Sequence, residues 1–161
     1  GVSGMSKSAI TRLEAGLKFA RLAVENTGTI PAGPLSTRVL DGKISTLESL
    51  LSRTINVQQE ADVSTSPRSL GQVQGKLDAI IDGIESWLDK WLPPYEPNFE
   101  IRLVSGAERD VKIADMRVRE AIHPLQRASL AITTALSPPV GAPLVSPNPK
   151  VGTVGGYRSS S

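Results

Sequence analysis

Apolar residues recur every three or four positions in the first part of the chain, the spacing that places side chains on one face of an α-helix. The first such stretch ends at the glycines and prolines of residues 27–34, and the second begins after Ser36, which can cap it. Their apolar faces are Ile10, Leu13, Leu17, Ala20 and Val24 in the first, and Leu40, Ile44, Leu47, Leu51 and Ile55 in the second. The pattern predicts two amphipathic helices joined by a short loop.

A third stretch has the most regular pattern. It begins with Ser66 as the capping residue and Pro67 at the first helical position, and it stops before Pro93. Proline is tolerated at the first position because an N–H there would have no hydrogen-bond partner within the helix. Its apolar residues are spaced alternately by four and three positions: Val73, Leu77, Ile80, Ile84, Trp87 and Trp91. This is heptad spacing, so we call these six residues the heptad seam and expect them to pack against another helix, of the same chain or of a second chain.

The second and third stretches also resemble each other in sequence. Aligning Gly42 with Gly75 pairs Lys43 with Lys76 and brings the two apolar faces into register. One interpretation is a tandem helical repeat, since such arrays have periods of about 20–50 residues. The other is that two amphipathic helices of equal length align on their apolar faces without being repeats. Both predict similar helices that each need a partner for their apolar stripe.

The spacing of apolar residues changes to two beyond residue 95. The alternating residues are Phe99, Ile101 and Leu103, then Val111 and Ile113, on either side of Ser105-Gly106. A turn dipeptide between two alternating runs predicts a β-hairpin near residues 98–114. A last helix is expected to follow, and Pro124 either kinks it or marks its start after His123. Its apolar face would be Val118, Ile122, Leu125, Ile132 and Leu136.

These elements predict a mainly α fold, a bundle of three to four amphipathic helices with a small β-hairpin. We expect residues 1–5 to be an expression-vector remnant and start, and residues 6–136 to form the bundle domain. Residues 137–161 are rich in Pro, Gly and Ser. Such a segment buries too little apolar surface to offset its ordering entropy, so a disordered C-terminal tail is expected.

Composition narrows the class of protein further. Aromatic residues make up only 4% of the chain, so the core must be aliphatic, and the absence of cysteine excludes disulfides and thiolate metal sites. The net charge of +2 does not demand a polyanionic partner, and it leaves nucleic acid open. The sequence has neither a signal-peptide pattern nor an apolar run near the roughly 18 residues of a membrane span. We therefore expect no membrane association and a cytoplasmic or virion-associated location.

The sequence contains no complete catalytic or metal-binding signature. His123 is the only histidine, and a lone imidazole before a proline is more often a helix-boundary residue than a catalytic one. The third stretch carries an acidic stripe: Asp78, Asp82, Glu85 and Asp89. Carboxylates at this spacing could bind a divalent cation, but a solvated outer face is far more common. The prediction is a protein without enzymatic activity, cofactor or metal.

Basic residues gather in the last part of the predicted domain: Arg102, Arg109, Lys112, Arg117, Arg119 and Arg127. Arginines on one face can contact phosphates, so these residues are the candidate nucleic-acid site. Acidic residues alternate with them, and no aromatic residue lies among them to stack on bases. A protein partner, or a second copy of this chain, is therefore favoured over nucleic acid.

The two tryptophans of the seam allow two interpretations, packing in the core or anchoring an interface, since Trp is enriched in binding hot spots. Taken together, the sequence predicts a non-enzymatic structural or protein-interaction module that self-associates or docks through amphipathic, coiled-coil-like helices. The candidate interaction residues are the heptad seam. The alternative is an RNA-binding helical coat or nucleocapsid-type viral structural protein that uses the late basic residues.

Overall fold

The computed structural model describes residues 1–27, 37–91 and 105–137. Those residues form five α-helices: α1 Val2–Thr27, α2 Thr37–Val63, α3 Pro67–Trp91, α4 Ser105–Glu120 and α5 Ile122–Leu136. Only Ala121 separates α4 from α5, so these two helices make one bent arm. The predicted mainly helical bundle is confirmed.

The helices pack as a four-cornered bundle. Helix α1 contacts α2 and the α4–α5 arm, and α3 contacts the same two neighbours, so α1 and α3 lie diagonally opposite. Helices α2 and α3 run antiparallel, because Lys43 near the start of α2 reaches the carbonyl of Trp91 at the end of α3. At the other end of this pair, Lys76 forms an ion pair with Glu60. The fold is therefore built from neighbouring helices that bury their apolar stripes against one another.

The start of α3 has the predicted capping arrangement. The Ser69 N–H donates to Ser66 Oγ at 3.1 Å, and the Ser66 N–H donates to Ser69 Oγ at 3.1 Å. This reciprocal pair satisfies two backbone donors that lack a helical partner, as in a capping box. Pro67 is the first residue of the helix, which confirms the predicted boundary.

Helices α1 and α4 approach each other closely at Gly16. A Cβ added at this position would overlap the Cγ2 methyl of Val118 and would lie 3.3 Å from the Val118 backbone nitrogen. The Ala114 carbonyl of α4 would lie 3.4 Å from the same Cβ, and α1 also buries the small residues Ala9, Ala20 and Ala23. The sequence did not reveal this contact, because alanine and glycine carry little hydrophobic signal.

Pro124 explains why the last arm is bent. A proline in a continuous helix would lack the N–H that donates to the carbonyl four residues earlier, and its ring would clash with that carbonyl. The chain avoids this by ending α4 at Glu120 and starting α5 at Ile122. Pro124 then lies in the first turn of α5, where backbone N–H groups need no helical partner. Of the two predicted alternatives, a start after His123 is wrong, since α5 begins at Ile122, whereas the interruption between Glu120 and Ile122 agrees with a break caused by Pro124.

The predicted β-hairpin near residues 98–114 is wrong where the structure describes it. Ser105-Gly106, Val111 and Ile113 all belong to helix α4, and no strand occurs in the described ranges. The first half of the hairpin, residues 99–103, lies outside them. Two apolar residues two positions apart are too short a pattern to distinguish a strand from a helix. The helical spacing from Val111 through Ala114 to Val118, all three buried, is the one that the fold uses.

The apolar face of α2 differs in detail from the prediction. In α2 the buried stripe continues through Leu50, Thr54 and Val57, whereas Leu51 and Ile55 are half-buried. The Thr54 hydroxyl donates to the Leu50 carbonyl at 2.7 Å, which allows this polar residue to be buried.

The sequence led us to expect residues 1–5 and residues 137–161 to lie outside the bundle domain. Residues 2–5 belong to helix α1, and Val2 and Met5 pack against the core. The C-terminal segment predicted to be disordered lies, after Ser137, outside the described residues.

Candidate interaction surfaces

The heptad seam is covered by the chain's own helices. Its six residues have exposed fractions between 0% and 3%, and α3 packs against α2, α4 and α5. A contact between chains through these residues would require the helices of the bundle to separate. A surface that a partner can reach without unfolding has to lie on the outer faces of the helices.

The two seam tryptophans form a stacked pair in the core. Their ring centroids lie 4.8 Å apart and their planes differ by 15°. The indole N–H of Trp87 donates to the Lys43 carbonyl at 2.8 Å, and that of Trp91 donates to the Val111 carbonyl at 2.9 Å. Of the two interpretations of these residues, the structure shows packing in the core.

Lys43 lies beside this pair and was not singled out by sequence reasoning. Its Nζ donates to the backbone carbonyl of Trp91, the last residue of α3, at 3.3 Å. The last carbonyls of a helix lack N–H partners and carry partial negative charge, so a cation there is favourable. Partial burial lowers the pKa of Lys43 below its ordinary value. The sequence contained one indication that Lys43 is partly buried: it lies between Leu40 and Ile44, at the edge of the apolar face of α2.

The acidic stripe lies on the outside of α3. Asp78, Asp82, Glu85 and Asp89 are all exposed, and Asp78 accepts a hydrogen bond from the Ser129 hydroxyl at 2.7 Å. The other three carboxylates form no ion pair with a cation in the described part of the chain. Within the same residues, no three acidic or histidine side chains are grouped so that they could hold a metal ion.

Five of the six late basic residues lie on the α4–α5 arm, and Arg102 lies outside the described residues. Arg117 forms an ion pair with Glu120 at 3.1 Å, and Arg119 forms one with Asp115 at 3.3 Å. Arg109 and Arg127 are exposed, and no ion pair involves them among residues 1–27, 37–91 and 105–137.

The same arm exposes three large apolar side chains: Leu136 at its last position, and Met116 and Leu130 before it. Met116 is 47% exposed and Leu130 is 63% exposed. Together with nearby exposed cations they form a surface that we call the cationic face: Arg109, Lys112, Met116, Arg119, Arg127 and Leu130. Arginine and methionine are enriched in protein–protein interfaces relative to other surfaces. This composition favours a protein partner, and the sequence pattern missed it because Met116 and Leu130 lie off the apolar face.

His123 is exposed at the second position of α5, at the bend of the arm. Within the part of the chain that the structure describes, no helix is both long enough and apolar enough to span a bilayer. Comparison of the chain with protein-family models, with curated proteins and with solved structures found no match.

Proposed function

We propose that this chain is a non-enzymatic structural module that self-associates, with the cationic face of one copy on the acidic stripe of the next. The observation that carries the proposal is the charge complementarity of these two surfaces. Asp82, Glu85 and Asp89 have no cation partner in the described chain, and Arg109 and Arg127 have no acidic partner there. A second copy supplies the missing partner to both surfaces at once.

The contact joins two different surfaces, so it is heterologous and repeats from copy to copy. Exposed ion pairs contribute about 0.2–1 kcal/mol each, and burial of Met116 and Leu130 contributes about 25 cal/mol per Å² of apolar surface. Association is therefore expected to be weak, to grow with protein concentration, and to weaken at high salt, which screens exposed charges. These properties suit a component of a larger assembly.

Light scattering of charge-reversed variants tests the proposal. Asp82→Lys/Glu85→Lys and Arg109→Glu/Arg127→Glu should each reduce the mean molar mass to that of one chain. Combining all four substitutions in one chain restores complementarity with the signs exchanged and leaves the net charge unchanged, so association should return. Lys7→Glu/Arg68→Glu, two exposed residues elsewhere on the bundle, is the matched control and should not change the mass. A wild-type mass of one chain at every concentration would contradict the proposal.

The alternative function is an RNA-binding coat or nucleocapsid-type protein. It is favoured by Arg109 and Arg127, which are exposed on one arm and form no ion pair within the described ranges. It is opposed by the absence of aromatic residues from residues 105–137. Titration with a short single-stranded RNA at several salt concentrations separates the two functions. If the arm binds RNA, Arg109→Glu/Arg127→Glu should lower the salt slope by about 0.7 for every phosphate that the arm no longer binds. Asp82→Lys/Glu85→Lys should then leave specific RNA binding by the arm in place.

A further inference from the structure

An open groove of about 380 Å³ runs between α2 and α3. It borders the acidic stripe, because its α3 residues Gly83, Ser86 and Lys90 each follow a stripe residue in the sequence. Its size falls within the range of about 300–1,000 Å³ that is usual for small-molecule sites. Gly42 leaves open space in the groove, whereas Gly83 allows Leu50 of α2 to pack closely against α3. Nothing lies within 4 Å of a Cβ added at Gly42, and one added at Gly83 would lie 2.6 Å from the Leu50 Cδ2 methyl.

The polar side chains of the groove are all cations or hydroxyls: Lys43, Arg53, Lys90, Thr46, Ser49 and Ser86. No carboxylate lines it, although both helices carry acidic residues. The acidic residues of α3 point elsewhere, to the acidic stripe, and Glu48 of α2 is paired with Arg21 of α1. The lining of the groove therefore presents positive charge and hydroxyl groups and contains no carboxylate.

Two of these cations have no partner among the residues that the structure describes. Neither Arg53 nor Lys90 forms a hydrogen bond or ion pair in the described ranges, and the hydroxyls of Ser49 and Ser86 form no hydrogen bond there. The apolar floor is formed by Leu50 and Trp87, which are only 2% and 3% exposed, and Val39, 38% exposed, is the apolar side chain of the lining that a ligand can reach. Because Lys43 and Arg53 are ten positions apart on one helix, their backbones lie about 15 Å apart along the groove. The charges are thus spread along an apolar floor.

We propose that this groove binds a small organic anion, one with a phosphate or carboxylate group and an apolar body. Guanidinium, ammonium and hydroxyl groups are the donors that recognise such oxygens. The apolar body would pack against Val39, the exposed apolar side chain of the lining. An anion beside Lys43 would also favour its protonated form, which burial disfavours in the free protein.

Phenyl phosphate is a suitable probe, and the backbone amide signals of Gly42, Gly83 and Ser86 in ¹H–¹⁵N spectra of the full chain report on the groove directly. These signals should shift together and saturate during the titration. Arg53→Gln and Lys90→Gln should each weaken binding about tenfold, the usual effect of removing a charge-assisted hydrogen bond. Lys7→Gln, an exposed cation on α1, should leave the affinity unchanged.

A further variant tests whether binding requires the open volume of the groove, and not only its positive charge. Gly42→Leu should fill the groove without displacing any neighbour, because a Cβ there has open space around it. It should abolish binding of phenyl phosphate while the spectrum of the core residues stays that of the folded protein. Gly71→Leu is the matched control, since Gly71 also has open space around it and lies outside the groove.

Three results would overturn the inference. The first is that amide signals of exposed cations over the whole surface shift as much as those of the groove. The second is that Gly42→Leu binds phenyl phosphate with unchanged affinity. The third is that the groove signals show no saturable shift. Inorganic phosphate and phenol, titrated separately, show which part of the probe is recognised, and both should bind more weakly than phenyl phosphate. Arg53→Gln separates this outcome from self-association, because Arg53 lies on α2, outside the acidic stripe, and its replacement should leave the molar mass of the protein unchanged.

Discussion

Trp87 and Trp91 stack on each other one helical turn apart, with centroids 4.8 Å from each other, yet their N–H groups bind different helices. Trp87 donates to the Lys43 carbonyl of α2 and Trp91 to the Val111 carbonyl of α4. The pair therefore joins three helices at one end of the bundle. This end of α3 is closed by Lys43, which donates back to the Trp91 carbonyl.

Trp91→Phe should lower the free energy of unfolding by about 1–3 kcal/mol, since it removes a buried hydrogen bond and leaves a space beside Val111. Urea unfolding measures this loss. The stacking itself is measured by a cycle of Trp87→Leu, Trp91→Leu and the double variant, which removes the rings and should give a coupling energy of about 0.5–1.5 kcal/mol. A coupling near zero would show that the two rings do not depend on each other in solution.

Gly16 and Gly75 should respond in opposite ways to alanine. Gly75→Ala should stabilise the protein by up to about 1 kcal/mol, because a Cβ there has open space around it and alanine favours the helix. Gly16→Ala should destabilise it despite the same gain in helix propensity, because α1 must move away from Val118. Thermal unfolding of both variants checks the difference in sign. Equal stabilisation by both would contradict the close approach of α1 and α4.

The seam can be tested by placing a charge within it. Ile80 is 1% exposed, and an unpaired carboxylate at such a position costs several kcal/mol, comparable to the whole stability of a domain, about 5–15 kcal/mol. Ile80→Asp should therefore lose its helical circular dichroism signal. Ala79→Asp places the same group on the neighbouring exposed position and should stay folded. A folded Ile80→Asp protein would contradict the packing of α3.

Lys43 should make the free energy of unfolding depend on pH at alkaline pH. Burial lowers the pKa of Lys43 in the folded state, whereas the unfolded chain titrates near the ordinary lysine value of about 10.4. Between these two values the unfolded state binds more protons, so the free energy of unfolding rises with pH. Relative to Lys43→Met, the wild-type protein should therefore gain stability as the pH increases from neutral towards about 10.5. A difference that stays constant or decreases in urea unfolding would contradict this assignment.

The helical core was predictable from the sequence where large aliphatic residues follow a regular spacing. The seam from Val73 to Trp91 and the start of α3 at Pro67 both follow from local patterns. The hairpin prediction failed because Val111 and Ile113 fit two periods equally well over such a short run. The contact at Gly16 could not be predicted, since it depends on which helices become neighbours.

The candidate surfaces were predictable only in part. The acidic stripe and the late arginines are visible as charge patterns, but the sequence does not show which of their members form ion pairs within the chain. Arg119 pairs with Asp115, whereas Arg109 and Arg127 remain without an acidic partner among the described residues. The groove between α2 and α3 brings Lys43, Arg53 and Lys90 together from two helices. Only the antiparallel packing of these helices creates it.

The proposed assembly makes a specific prediction for a mixture of two variants. Asp82→Lys/Glu85→Lys has two cationic surfaces, and Arg109→Glu/Arg127→Glu has two acidic ones, so neither should associate with itself. Light scattering of an equimolar mixture at low salt should give a mean molar mass above that of one chain, and high salt should abolish the increase. A mixture that keeps the mass of one chain, while the wild-type protein associates, would contradict the docking of the cationic face on the acidic stripe.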